Sequence, residues 1–248
     1  MKFEKLKGIV IKETNTNEAD KILTLLTDIK GKVAVFAKGA RRPRSSLGLS
    51  SQLLCYSEFV LFKGRDFYYL SSAELIKHFY FIRKDIIKVT YCAHVLEICR
   101  DGTQENQYSE DILRLLLNTL YIIENPNKKS YDLIISIFEF KFISLMGFTP
   151  NVYQCNNCGK SNIDRLYFDV RHNNLVCKNC SISIKNNIII SLPTLKSMIY
   201  ILEAPIQSIF KVNLLNQLTK ELKTFTSKYL NYVMEKNYNK LNMLKDLL

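Results

Sequence analysis

Residues 154–181, QCNNCGKSNIDRLYFDVRHNNLVCKNCS, hold four of the seven cysteines as two Cys-x-x-Cys pairs, Cys155/Cys158 and Cys177/Cys180, with eighteen residues between them. That spacing is the pattern of a four-thiolate zinc site, in which each pair wraps one edge of a tetrahedron and the chain between them returns as a hairpin. Gly159 follows the second cysteine, where a tight knuckle calls for positive φ. Asn179 supplies a residue tolerant of left-handed backbone inside the second pair. Leu166-Tyr167-Phe168 and Leu175-Val176 read as short strands around the polar turn Arg171-His172-Asn173-Asn174, so a zinc ribbon is expected. Four thiolates close the coordination sphere, and the metal is therefore structural, with no position for water or substrate. Two disulfides, or four unrelated thiols, are the alternatives. His172 is an alternative ligand, outweighed by its reading as a solvated turn residue.

Outward from the ribbon, the chain changes period twice. Upstream, the first eighty residues read as short strands punctuated by glycine: residues 8–12, 21–27, 32–37, 54–62 and 67–75. Five strands in a small basic domain suggest an OB-type barrel, with a helical reading of 21–27 as competitor. From about Phe81 the period becomes 3.6. Ile82, Ile86, Val89, Ala93 and Leu96 fall on one stripe that ends at Asp101-Gly102. A second helix starts at Ser109 as N-cap and closes at Asn125-Pro126. A third, from Ser130 or Asp132, is apolar around most of its circumference and ends at Gly147, so it is expected at a buried centre. After the ribbon, Leu192-Pro193-Thr194 opens a helix to about Glu203, and 214–235 forms a long last one. The fold class is thus α+β, an N-terminal OB-fold barrel followed by an all-helical domain with an inserted four-cysteine zinc ribbon. Its boundaries are 1–80 for the barrel, 81–150 and 187–248 for the two parts of the helical domain, and 151–186 for the ribbon.

The 248 residues carry a formal net charge of +12, which points to a polyanionic partner. The excess is uneven: residues 1–80 have fourteen Lys and Arg against eight Asp and Glu, residues 81–210 fourteen against twelve, and residues 211–248 seven against three. A genome rich in A·T pairs, with its Lys, Asn and Ile usage, offers a non-functional account of the C-terminal excess. The most pointed run is Lys38-Gly39-Ala40-Arg41-Arg42-Pro43-Arg44 between two strands. Arginine grips phosphate bidentately, and counterion release supplies much of such affinity, so a mobile phosphate-gripping loop is expected here with Lys38, Arg41, Arg42 and Arg44 as contacts. A solvated surface run is the plainer alternative. Lys63 and Arg65, on a hairpin tip, are weaker candidates. Phe36, Tyr56, Phe67, Tyr68 and Tyr69 interleave with these cations, as core filler or as platforms for bases.

Catalysis has little to work with. Gly159-Lys160-Ser161 mimics the end of a phosphate loop, but its neighbours are metal cysteines. No Gly-x-Ser-x-Gly, His-x-Glu or His-Glu-x-x-His occurs, and His78, His94 and His172 are scattered singly. A non-enzymatic protein is expected. Residues 1–7 alternate charge with apolar residues and lack an apolar signal region, and the greasiest stretch, 133–146, is too short to span a bilayer and contains Glu139 and Lys141. No membrane partner is expected, and the odd thiols Cys55, Cys92 and Cys99, in apolar segments, agree with a cytoplasmic location.

Taken together, Gly8-Ile9-Val10-Ile11-Lys12, Asp20-Lys21-Ile22-Leu23, Gly31-Lys32, Lys38-Gly39-Ala40-Arg41-Arg42, Phe62-Lys63-Gly64-Arg65, Ala73-Glu74-Leu75 and Gly147-Phe148-Thr149-Pro150 leading into Cys155-x-x-Cys158-Gly159 make the whole chain resemble the RecO family of bacterial recombination mediators. The resemblance implies an OB fold, a helical domain interrupted by a zinc ribbon, binding to single- and double-stranded DNA, annealing of complementary strands without ATP, and exchange of the single-strand binding protein SSB for RecA. It also implies RecR and the SSB C-terminal tail as partners, RecA indirectly, and a cytoplasmic, nucleoid-associated location. Asn173-Asn174 stand where relatives tend to carry glycines, and the C-terminus is only a loose match. A zinc-ribbon RNA-binding or transcription factor is the alternative reading.

Overall fold

A computed structural model describes residues 3–65, 67–127, 129–161, 165–169, 172, 174–182 and 187–246. The chain forms two compact units, Met1–Leu117 and Asn118–Leu248.

The first unit is built on a closed barrel of β1 (Phe3–Thr16), β2 (Asp20–Thr27), β3 (Gly31–Ala37), β4 (Cys55–Lys63) and β5 (Tyr68–His78), in the order β1-β2-β3-β5-β4. All neighbours are antiparallel except β3 and β5, which run parallel at Val35/Tyr68 and Phe36/Tyr69. Five strands in this order make an OB fold. Alternation builds it: along β3 and β4 every second residue is buried, and the inward set packs Leu6, Val10, Leu23, Leu25, Val33, Val35, Phe59 and Leu61 into one core. Each such side chain contributes on the order of 1.5–3 kcal/mol on burial, which is why Lys21-Ile22-Leu23-Thr24-Leu25 settles as a strand and not as the competing helix. Register shifts between Val10 and Lys12 and twice along β4 and β5 bend the strands enough for the sheet to close.

Beyond the barrel the helical period begins later than its sequence pattern suggests. Tyr80–Lys84 is a 3-10 turn; Asp85 is extended and its carboxylate accepts from the amides of Ile87 and Lys88 at 2.9 and 3.3 Å, so α1 (Ile86–Gly102) starts from this cap. Ile86, placed on the expected buried stripe, is instead 64% exposed in the first turn, and the buried face is Tyr91, Cys92, His94, Val95, Leu96, Ile98 and Cys99. The unit boundary falls within α2 (Glu110–Glu124).

The second unit centres on α3 (Tyr131–Leu145), capped by Ser130 Oγ accepting from Leu133 N. Every residue from Leu133 to Ile143 is buried, Glu139 and Lys141 included. Both charges are satisfied. Lys141 Nζ donates to the carbonyls of Ile201, Leu202 and Ala204 at 3.1, 2.7 and 3.4 Å, closing the C-terminal end of α4 (Leu192–Glu203), where unpaired carbonyls and the helix dipole favour a cation. Glu139 accepts from Thr226 Oγ1 at 2.8 Å on α5 (Asn216–Val233). Phe140 meets Phe225 of α5 edge-on at 5.9 Å, so helices from before and after the ribbon share one core.

The ribbon has three strands, not two: β6 (Arg165–Asp169) is central between β7 (Asn174–Cys177) and β8 (Asn187–Ser191), all antiparallel. Ile188 and Ile190 of β8 are buried and Ile189 exposed, a short β-branched alternation next to a helix start. Phe168 of β6 packs edge-on against Phe225 at 4.7 Å and Tyr229 at 5.5 Å. The ribbon sheet is thereby fastened to α5.

Candidate metal centre and nucleic-acid surface

The thiols of Cys155, Cys158, Cys177 and Cys180 all lie within 4.8 Å of one another. Their local scaffold is a knuckle: Gly159 N donates to Cys155 O at 2.9 Å and Cys155 N to Lys160 O at 2.8 Å. Gly159 sits at φ +72° with nothing near its absent Cβ, so the left-handed backbone, not crowding, selects glycine. Asn156 N donates to Leu175 O at 2.9 Å, holding the first pair against β7, whose last residue is Cys177. The second pair enters a right-handed 3-10 turn, Asn179–Ser181; the left-handed conformation expected of Asn179 does not occur, because a 3-10 turn already returns Cys180 toward Cys177.

The donor set fits a tetrahedral metal ion. Cys158 Sγ and Cys177 Sγ are 3.8 Å apart, the edge of a tetrahedron with metal–sulfur bonds of about 2.3 Å. Burial opposes ionisation of Cys155, yet the amides of Cys177, Cys158 and Asn157 aimed at its sulfur outweigh it and draw the thiol down to about 6. Cys180, hydrogen-bonded to the thiol of Cys177, is pushed up to about 12. Thiols packed this closely oppose one another's ionisation, and a dication bonded to every sulfur removes that opposition. His172 is not part of it: its Nδ1 lies 2.5 Å from Asp169 Oδ2, at the end of β6. Arg171 and Asn173 of the expected turn lie outside the described residues.

The cationic run after β3 is a string of tight turns. Ala40 N bonds to Ala37 O, Arg42 N to Gly39 O, Ser45 N to Arg42 O and Gly48 N to Ser45 O, while Ala40 and Leu47 are buried in the barrel core. The string is pinned to the β1–β2 turn. Gly39 N donates to Asp20 Oδ1 at 2.7 Å, Arg41 N to Ala19 O at 2.9 Å and Arg41 Nη1 to Asn17 O at 3.2 Å. The amide of Gly39, then the side chain of Asn17, hold the Asp20 carboxyl below its ordinary value, helped by Lys38 and Arg42. The expected mobile loop is thus an anchored one, with Lys38, Arg41, Arg42 and Arg44 all exposed on it. Sequence reading missed Asn17 and Asp20 as its anchors; the Asn-x-x-Asp turn before a strand was the available signal.

Lys63 and Arg65 are also exposed, on the β4–β5 hairpin closed by Gly64 N donating to Phe67 O at 2.8 Å; Asp66 lies outside the described residues. These two cations do not join the first four. Since β3 and β5 run parallel through Phe36/Tyr69, the run after β3 continues beyond that pair, while the hairpin precedes it. Of the C-terminal lysines, Lys220 and Lys228 are exposed on α5, whereas Lys223 pairs with Asp132 at 2.6 Å.

These features define an OB-fold protein with a helical unit and a ribbon whose four thiols can hold a metal ion. The chain belongs to the recombination protein O family: residues 1–79 match the model described as "Recombination protein O N terminal" and residues 83–242 the one described as "Recombination protein O C terminal". It is 40% identical over 247 residues to the DNA repair protein RecO of Acetivibrio thermocellus, covering 100% of this chain and 98% of the relative. Identity to the DNA repair protein RecO of Caldicellulosiruptor saccharolyticus is 37% over 247 residues, 99% of either chain, and to that of Alkaliphilus metalliredigens 32% over 251 residues, 98% and 99%. Among the described residues, no helix is long and apolar enough to cross a membrane.

Proposed function

We propose that this chain is a DNA-binding mediator of recombinational repair that works without catalysis of its own. It binds single- and double-stranded DNA, anneals complementary strands independently of ATP, and helps exchange SSB for RecA in company with RecR, in the cytoplasm at the nucleoid. One observation carries the reading: four exposed cations, Lys38, Arg41, Arg42 and Arg44, stand on a turn string anchored to the barrel by Asp20. Anchoring lowers the conformational entropy lost when guanidinium groups close on phosphate. Lys63 and Arg65 offer a second, smaller set of phosphate contacts at the opposite end of these strands. The metal of the four-thiol site is zinc, one per chain, and its role is structural: Cys155, Cys158, Cys177 and Cys180 hold it, and it ties the two knuckles to each other.

The test is a salt titration of oligonucleotide binding by the chain with Arg41, Arg42 and Arg44 all changed to Ala. Each lost single-strand phosphate contact flattens the slope of log affinity against log salt by about 0.7, with similar weakening for all base sequences. An unchanged slope shows a merely solvated run and removes the reading's main support.

A further inference from the structure

Four aromatic side chains stand in one row across the outside of the barrel. Phe3 of β1 pairs in register with Phe62 of β4, Phe62 with Tyr69 of β5, and Tyr69 with Phe36 of β3. Phe36, Phe62 and Tyr69 are half-buried, each next to a buried residue of its own strand, and Phe3 is exposed at the start of β1. Their rings touch in sequence, with centroids 5.9 Å apart for Phe3/Phe62, 5.2 Å and near-parallel for Phe62/Tyr69, and 5.6 Å for Tyr69/Phe36. Phe3 is 57% exposed, and Ile22, the register partner of Phe36 on β2, is 39% exposed. The barrel core is complete without these side chains, so packing alone does not account for a continuous aromatic row on the solvent side.

Charge indicates what covers it. Phe62 is followed directly by Lys63 and then Arg65, and Phe36, two residues on, by Lys38 and the arginines. Because β4 runs antiparallel and β3 parallel to β5, these cations leave the row in opposite directions. A strip of aromatic surface with cations along both edges matches single-stranded nucleic acid, whose bases offer π faces and whose backbone offers phosphates. A duplex keeps its base faces stacked internally and offers only the phosphates. We infer that Phe3, Phe62, Tyr69 and Phe36 form a stacking row for unpaired bases, which makes the barrel selective for single strands while the cations serve both forms. The inference rests on the DNA-binding reading above.

The hairpin supports the row's shape. A Cβ on Gly64 would come within 2.5 Å of Tyr69 Cε2, so the tyrosine ring lies against glycine backbone and Gly64→Ala must shift it.

The chain has no tryptophan, so Tyr69→Trp places a single fluorescent reporter in the row. Tyr56→Trp, six residues back along β4 from Phe62 and thus roughly 20 Å away along the strand, is the control. Oligothymidylate should quench the reporter at position 69, a blunt duplex that binds should not, and the control should respond to neither. Phe36→Leu with Phe62→Leu keeps apolar packing but removes ring faces; thermal unfolding should be near that of the parent, single-strand affinity should fall about tenfold for each stacked base lost, and duplex affinity should hold. Gly64→Ala should lower single-strand affinity in the same direction with every ring retained. Binding of neither form overturns the DNA reading itself. Binding of both forms with no quench and equal affinities in the row variants overturns the row alone, as does a row variant that binds DNA normally and loses a protein partner.

Discussion

Asp20 shows how one carboxylate can order a cationic surface it does not belong to. Its folded-state proton affinity is lowered because the amide of Gly39 and the amide of Asn17 donate to the ionised form. A lowered carboxyl contributes fully above its unfolded value and is lost as pH falls through the folded one. Protection of the Gly39 amide against hydrogen exchange, corrected for intrinsic rate, should therefore be flat at neutral pH and collapse below the ordinary carboxylate range of about 4. Asp20→Asn should abolish that pH dependence, and Asp20→Ala should lower protection at every pH. Lys141 is the opposite kind of residue, a buried cation with three carbonyl partners. Lys141→Met preserves most of the volume and leaves the end of α4 without its donor, which should cost about 1–3 kcal/mol in urea unfolding. Lys141→Ala should cost more, since it also opens a cavity.

At the scale of elements the ribbon is the informative case. Phe168 is fully buried against Phe225 and Tyr229, so loss of the four-thiol centre should propagate beyond the knuckles. Cys177→Ser or chelation should release one zinc per chain and abolish exchange protection in β6 and β7, and should weaken it in the middle of α5. Retention of full protection without metal would show that the sheet holds itself. Phe168→Ala, with the metal retained, should destabilise the chain by about 3–5 kcal/mol. Much of this was legible. The cysteine spacing, glycine after the knuckle, the start of the third helix at Ser130 or Asp132, Gly102 and Glu203 as helix ends and the glycine-punctuated strands all express local chemistry. What escaped depended on partners far along the chain: β8 is a five-residue strand with only three apolar residues, whose strand state comes from pairing with β6, and Ile86 is exposed because Asp85 restarts the helix one turn later than the apolar pattern does. The aromatic row was half visible, in Phe36 and Tyr69; Phe3 and Phe62 joined it only through barrel register.

For the whole molecule, the distribution of charge bears on how the proposed annealing would be driven. Two complementary strands repel through their phosphates, and a protein that covers those charges lowers the barrier to pairing by binding free energy alone. The barrel offers Lys38, Arg41, Arg42, Arg44, Lys63 and Arg65, while α5 offers Lys220 and Lys228, with Lys223 already committed to Asp132. On the proposed function, a cationic surface on each unit would let one strand be held by each. On the same proposal, SSB-coated strands pose a second problem, since the phosphates are occupied; an acidic, apolar-ended tail on SSB would give a handle that recruits the chain without first evicting the coat. Annealing of naked complementary strands should then proceed without nucleotide and slow when Arg41, Arg42 and Arg44 are changed to Ala. Lys220→Ala with Lys228→Ala should slow annealing while leaving single-oligonucleotide binding by the barrel nearly intact, because only the second strand is lost. On coated strands, removing the SSB tail should abolish annealing that the same chain performs on naked ones. A requirement for ATP, or equal annealing with tailed and tailless SSB, would sink this mechanism, and an α5 variant that loses binding and annealing in equal proportion would show that both surfaces hold the same strand.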